Sequence, residues 1–175
     1  MKLLRPSGGG LTVMSLAFAN DGQRLMAGFD NGLVKLWDLS GNKGELTFER
    51  HNRQVRGLAL FPDAQTLVSA GTDVRLWDLS SQRELIRIQP RPTRFLGCSI
   101  SPDGRRLAVG AVDGLITIWD LASRQEVATL KGHEQRVYDV AFLPDGNTLV
   151  SVGQEQVRVW RATSFEEADR EDLKK

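Results

Sequence analysis

Few side chains in this sequence could do covalent or metal chemistry: two histidines, His51 and His133, one cysteine, Cys98, and scattered serines and carboxylates. A nucleophilic centre needs a hydroxyl or thiol beside a base, with a third group orienting that base. No G-x-S-x-G, no phosphate-cradling G-x-x-x-x-G-K, no H-E-x-x-H and no EF-hand loop occurs. Gly8-Gly9-Gly10 lacks the downstream glycine and preceding strand of a dinucleotide site, and reads as a loop. One cysteine cannot close an intramolecular disulfide, and with two histidines it supplies too few ligands for a zinc or iron–sulfur site. Cys98 sits in an apolar run, the setting of a structural thiol rather than a reactive one. Catalytic, cofactor-binding and metal-binding residues are therefore expected to be absent, and no cofactor is implied.

Bulk properties point the same way. The chain has 175 residues with 23 Lys plus Arg against 22 Asp plus Glu, a net charge of +1, so composition gives no sign of nucleic-acid binding or of an acidic tail. No window approaches eighteen consecutive apolar residues, and the run after Met1 ends at Arg5-Pro6, too short for a secretory signal. The expected location is cytoplasmic, with no membrane contact. Seventeen glycines, nearly a tenth of the chain, imply many tight turns.

The elements behind these residues repeat. Trp37, Trp77, Trp119 and Trp160 are spaced by 40, 42 and 41 residues, and no tryptophan falls outside the series. Asp21, Asp63, Asp103 and Asp145 keep step, at spacings of 42, 40 and 42 in Asp-Gly or Pro-Asp turns. Two markers with one period define a four-fold repeat. Each unit opens with an apolar alternating run (13–18, 55–61, 96–100, 137–142), followed past the aspartate turn by a second (24–28, 66–71, 106–110, 148–153). A third run carries the tryptophan (34–37, 74–77, 116–119, 157–160), and a fourth, more polar one follows in the first three units (45–49, 83–88, 126–130). Short runs rich in Val, Ile, Leu and Phe, punctuated by turns, predict antiparallel sheet, and four per forty-odd residues predicts propeller blades.

Leu36-Trp37-Asp38-Leu39, Leu76-Trp77-Asp78-Leu79 and Ile118-Trp119-Asp120-Leu121, with Gly132-His133 and Val137-Tyr138-Asp139-Val140-Ala141-Phe142, resemble WD40 repeats. The resemblance covers residues 1–161, as approximate units 1–40, 41–80, 81–121 and 122–161, with 162–175 as a tail. It implies an all-β, WD40-type β-propeller of four blades, each a four-stranded antiparallel sheet, the last lacking its own outer strand. It also implies a buried hydrogen-bond set of His, Ser or Thr, Trp and Asp. The second unit matches with His51, Ser69, Trp77 and Asp73; the fourth keeps His133, Ser151 and Trp160 but has Gln154-Glu155-Gln156 where Asp is expected. The first and third units lack the His and place Ala27 and Val109 at the Ser position, so both histidines and all four tryptophans are expected to be structural.

Four blades are fewer than the seven or eight usual in such rings. Met1–Leu4 resembles an outer strand without a blade, of the kind that completes the last blade of a closed propeller. Three arrangements stay open: a C-terminal portion of a longer propeller protein, pairing of two copies into an eight-bladed ring, or a four-blade arc or small ring. In the tail, Ser164 and Glu167 make a capping box for a short helix with Phe165, Ala168 and Leu173 near one face; the competing reading is a frayed, charged end.

In a propeller the loops before each first strand share one face. Residues 49–56, 88–96 and 131–137 carry Arg50, Arg53, Arg56, Arg91, Arg94, Lys131 and Arg136 against Glu49 and Glu134. This predicts a basic face for an acidic or phosphorylated protein partner, with Tyr138, Phe29 and Phe95 adding aromatic contact. The competing reading is that polar loops collect arginine for solubility. The expected function is a non-catalytic protein–protein interaction scaffold; the alternative is a C-terminal regulatory segment of a larger enzyme, such as a bacterial protein kinase. Nucleic acid is not the expected partner, because no recognition motif accompanies the basic face.

Overall fold

The chain turns back on itself at the aspartates. Asp63 Oδ1 accepts the backbone N–H groups of Gln65 and Thr66 at 2.8 and 3.3 Å, and Asp145 Oδ1 those of Asn147 and Thr148 at 2.9 and 2.8 Å. The residue after the aspartate lies at positive φ. Gly22, Gly104 and Gly146 occupy that position at 65°, 72° and 70°, whereas the second unit has Ala64 there at 54°.

The computed structural model describes residues 4, 6–19, 22–40, 44–48, 51–89 and 92–162. Among them are fifteen strands and no helix. The first sheet comprises β1 (Val13–Phe18), β2 (Arg24–Phe29), β3 (Val34–Asp38) and β4 (Glu45–Phe48). The second comprises β5 (Gly57–Leu60), β6 (Thr66–Ala70), β7 (Val74–Asp78) and β8 (Glu84–Ile88). The third comprises β9 (Phe95–Ile100), β10 (Arg106–Ala111), β11 (Leu115–Asp120) and β12 (Gln125–Lys131). The fourth has three strands, β13 (Val137–Phe142), β14 (Thr148–Gly153) and β15 (Val157–Arg161). Neighbours within each sheet are consecutive and antiparallel, and β1 packs on β5, β5 on β9 and β9 on β13. This is a four-blade propeller arrangement with a three-stranded last blade, as the repeat implies.

The core lies between blades, because strand alternation gives each sheet two apolar faces. Met26, Val34 and Leu36 of the first blade meet Leu67 and Trp77 of the second. Val68, Val74 and Leu76 of the second meet Leu107, Val109 and Phe95 of the third, and Ile116 and Ile118 of the third meet Val137, Val140 and Leu149 of the fourth. On the first blade's other side, Ala27, Phe29 and Trp37 are covered by Leu4 and Leu11. Residues 1–3 of the expected Met1–Leu4 strand, and the tail from 163, lie outside the described residues.

Among the described residues, two stripes at the ends of the repeat have no packed neighbour. Val74 and Leu76 are 1% and 3% exposed, but Val157 and Val159, at the same distances before their tryptophan, are 66% and 58% exposed. On the first blade Leu16 and Phe18 are 60% and 61% exposed, whereas their counterparts in the next blade, Leu58 and Leu60, pack against the interblade core.

Candidate functional site

Two places gather the polar side chains singled out by the sequence: a buried relay between the first two blades and a cleft on the loop face. In the relay, β6 supplies Ser69, β7 supplies Trp77, and the segment between β4 and β5 supplies His51. Trp77 Nε1 donates to Ser69 Oγ at 2.8 Å, His51 Nε2 lies 2.6 Å from Ser69 Oγ, and His51 Nδ1 lies 2.6 Å from Asp73 Oδ1. An indole N–H can only donate and an ionised carboxylate only accept, so one assignment with a neutral ring satisfies every atom. The chain then runs from the indole N–H to Ser69, from the Ser69 hydroxyl to His51 Nε2, and from His51 Nδ1–H to Asp73. Asp73 Oδ2 also accepts from Arg75 Nε at 2.9 Å, and the Arg75 guanidinium lies 5.8 Å from the Trp77 ring centre. Burial pushes the Asp73 carboxyl up, but the hydrogen bond from His51 and the charge and hydrogen bond of Arg75 outweigh it and hold it below its ordinary value.

Ser, His and Asp in this order have the connectivity of a nucleophilic triad. Here, however, Ser69 and His51 have no exposed surface, and one of the two serine lone pairs accepts the Trp77 indole N–H. A substrate carbonyl has no approach, so the arrangement does packing work rather than acyl transfer.

The fourth blade repeats half of this. His133 Nε2 lies 2.7 Å from Ser151 Oγ, which accepts from Trp160 Nε1 at 2.8 Å, and both rings are half-buried. Gln156 stands where Asp73 stands in the second blade, four residues before the tryptophan. Burial and the nearby charge of Arg158 push the His133 pKa down. Among the described residues Trp37 and Trp119 take part in no such chain; Trp37 packs edge-on to Phe29 and Trp119 packs against the second interblade core.

The loop face has a cleft of about 380 Å³ whose lining includes Arg53, Arg56 and Arg94 together with Asn31, Asn52 and Thr72. Asp30 also lines it, but its carboxylate accepts the Thr12 backbone N–H at 3.2 Å. Arg56 additionally borders a cavity of about 270 Å³ lined by all four blades, where Tyr138 and Asp139 lie. Arg136 is exposed in the loop before β13 and lines neither space, while Arg50 and Arg91 lie outside the described residues. The expectation for Phe29 needs correction, since it is wholly buried among the blade cores; Phe95 is almost wholly buried too, although it stands in the lining of the arginine cleft.

Among the described residues no group of three or more His, Cys, Asp or Glu side chains could hold a metal ion, and no helix is long and apolar enough to cross a membrane. Burial, with a smaller contribution from the Asp139 charge, pushes the Cys98 thiol far up, away from the reactive thiolate form.

A sequence model of the WD domain, G-beta repeat, matches residues 3–38, 43–78, 91–120 and 124–161, most of the chain. The chain belongs to the WD40 family. No curated protein matches it. WD40 propellers generally mediate protein–protein contact and are typically non-catalytic, which fits a buried relay and an open loop face.

Two features of this WD40 chain escape the sequence reading. Lys35 and Arg75 are buried although charged, each bonded to a glutamate of the neighbouring outer strand, Glu45 and Glu84. Their placement two residues before the tryptophan was visible in the repeat. Asn31 and Thr72, from the hairpins between second and third strands, line the arginine cleft, and only the fold brings them there. On the opposite side the aspartates are occupied by turns: Ser80 and Ser81 hold the Asp78 carboxyl at about 2 through hydrogen bonds.

Proposed function

We propose that this WD40 propeller is a non-catalytic interaction module whose loop face takes up an acidic or phosphorylated segment of a protein partner. The observation that carries the reading is the convergence of Arg53, Arg56 and Arg94 on one cleft. Guanidinium groups match carboxylate and phosphate bidentately, and Asp30, the one carboxylate among the described lining residues, accepts the Thr12 backbone N–H. A reducing cytoplasmic setting suits the buried Cys98 thiol. The test measures binding of paired peptides, one phosphorylated and one not, by fluorescence anisotropy in about 150 mM salt. The charge reversals R53E and R94E together are expected to weaken binding of the phosphorylated peptide by roughly a hundredfold, about 1.4 kcal/mol per arginine. Binding that is unchanged by both reversals refutes the reading.

A second reading, pairing of two copies into an eight-bladed ring, is favoured by the two unpacked stripes, Leu16 with Phe18 and Val157 with Val159. Each stripe occupies positions that face a neighbouring blade elsewhere in the chain, so blade four of one copy would seat on blade one of the other. Light scattering should then give twice 19.4 kDa. L16D and V157D should each give monomers, and mixing the two should restore one contact. A monomer for the parent chain refutes this reading.

A further inference from the structure

The outer strand of each complete blade places a glutamate across from the tryptophan: Glu45 opposite Trp37, Glu84 opposite Trp77 and Glu126 opposite Trp119. Two residues before the tryptophan stands the group that answers it. Lys35 Nζ binds Glu45, and Arg75 Nη1 donates to Glu84 Oε2 at 3.3 Å. The third blade has Thr117 there, and Glu126 bonds to Thr129 instead. The fourth blade keeps both the cation, Arg158, and the tryptophan, Trp160, but no described strand pairs with the outer side of β15. Arg158 Nε donates to Gln156 Oε1 at 2.9 Å, and among the described residues no carboxylate pairs with its guanidinium.

The surroundings of this edge favour a strand. On one side lies a groove of about 470 Å³ between the third and fourth blades, with Ile118, Leu130, Leu149 and Trp160 among its apolar lining and Arg106 and Arg161 among its polar lining. On the other face Val157 and Val159 are open to solvent. In the second blade these two positions are Val74 and Leu76, which pair with Ile88 and Ile86 of the outer strand; in the third they are Ile116 and Ile118, paired with Leu130 and Ala128. The chain thus shows what its own edges accept.

We propose that the β15 edge binds an extended segment of a protein partner as an added antiparallel strand. Its sequence follows Glu-x-apolar-x-apolar, with the glutamate across from Trp160 and paired with Arg158, and the two apolar residues beside Val159 and Val157. Main-chain hydrogen bonds supply the affinity, and the ion pair fixes the register, because a slip of one residue moves every side chain to the other face. This site lies at the outer edge of the fourth blade, apart from the arginine cleft, and does not depend on it.

The probe is a fluorescein-labelled peptide Arg-Glu-Leu-Ile-Arg-Ile-Gln, copied from residues 83–89, titrated with the whole chain and read by anisotropy. Saturable binding of one peptide per chain is expected. Lysine in place of the peptide glutamate should weaken it about tenfold, and R158E should weaken the parent peptide about tenfold while restoring the lysine peptide. A peptide N-methylated at alternate backbone nitrogens tests strand pairing without altering the protein, and should not bind. Equal affinity for the glutamate and lysine peptides, undiminished binding of the N-methylated peptide, or no saturation by about 1 mM overturns the proposal. So does binding that falls as chain concentration rises, since a second copy would then already hold the edge.

Discussion

Ser69→Ala tests whether the buried relay stabilises the junction of the first two blades. The change removes one hydroxyl and thereby two partners, the acceptor of Trp77 Nε1–H at 2.8 Å and the neighbour of His51 Nε2 at 2.6 Å. Both orphaned atoms belong to fully buried residues, which water reaches only by local opening. Leaving a buried polar group unpaired costs about 1–3 kcal/mol, so two orphans with little cavity give a loss of about 3 kcal/mol. The fourth blade holds the control. Ser151→Ala removes the same two contacts, at 2.7 and 2.8 Å, but His133 and Trp160 are half-buried and hydrogen-bond to water afterwards. The expected loss there is about 1 kcal/mol. Urea unfolding followed in parallel by tryptophan fluorescence and far-ultraviolet circular dichroism gives both values, coincidence of the two curves being the check on two-state behaviour. If S69A costs no more than S151A, burial of the relay is not what makes it matter, and the reasoning fails.

Ala64→Gly should stabilise the chain by about 0.5 kcal/mol, because Ala64 sits at φ 54° where three sister turns have glycine; a lower urea midpoint would show that the turn is unstrained. Thr117→Val should be neutral or stabilising by about 1 kcal/mol, since Thr117 Oγ1 is buried without a hydrogen-bond partner among the described residues; a clear loss of stability in thermal melts would reveal a partner for that hydroxyl. The His133 pKa is lowered in the fold, so the stability present above the unfolded value of 6.5 should fall as pH drops from there through the folded value. Because the Arg158 charge contributes to that lowering, R158A should move the proton NMR titration midpoint of His133 upward and lessen the acid loss; an unmoved midpoint contradicts the cause.

The four-fold architecture is legible in the sequence because a blade is a meander of neighbouring strands, each closed by a local turn. Asp63 and Asp145 act on residues two and three positions away, so their spacing survives as a readable signal. The His51, Ser69 and Asp73 set is legible for a different reason: the family resemblance supplies which residue types meet, and the distances follow. Phe29 and Phe95 show where this runs out. Each stands at the loop end of a strand, last in β2 and first in β9, and only the direction of alternation across the sheet sends it inward. Lys35 and Arg75 fail similarly, since a charge in a strand reads as exposed until the glutamate on the next strand is known.

Repetition has a further consequence for the ends of the chain. A blade that is one of a series has its environment written three times over in its sisters, so an empty contact in the last can be assigned by position rather than by general hydrophobicity. Val157 and Val159 are no more apolar than many surface valines, and singly they would need no explanation. They acquire meaning because Val34 and Leu36, Val74 and Leu76, and Ile116 and Ile118 are all buried at the same positions. The same logic applies to Arg158, whose sisters Lys35 and Arg75 each hold a glutamate from an outer strand, a strand that no described residue supplies to the fourth blade. A partner for this edge must therefore satisfy a charge as well as cover a surface, and a purely apolar strand would leave Arg158 desolvated without a counter-charge. That requirement separates strand addition from general stickiness, and it makes the charge swap at Arg158 more informative than any truncation of the valines.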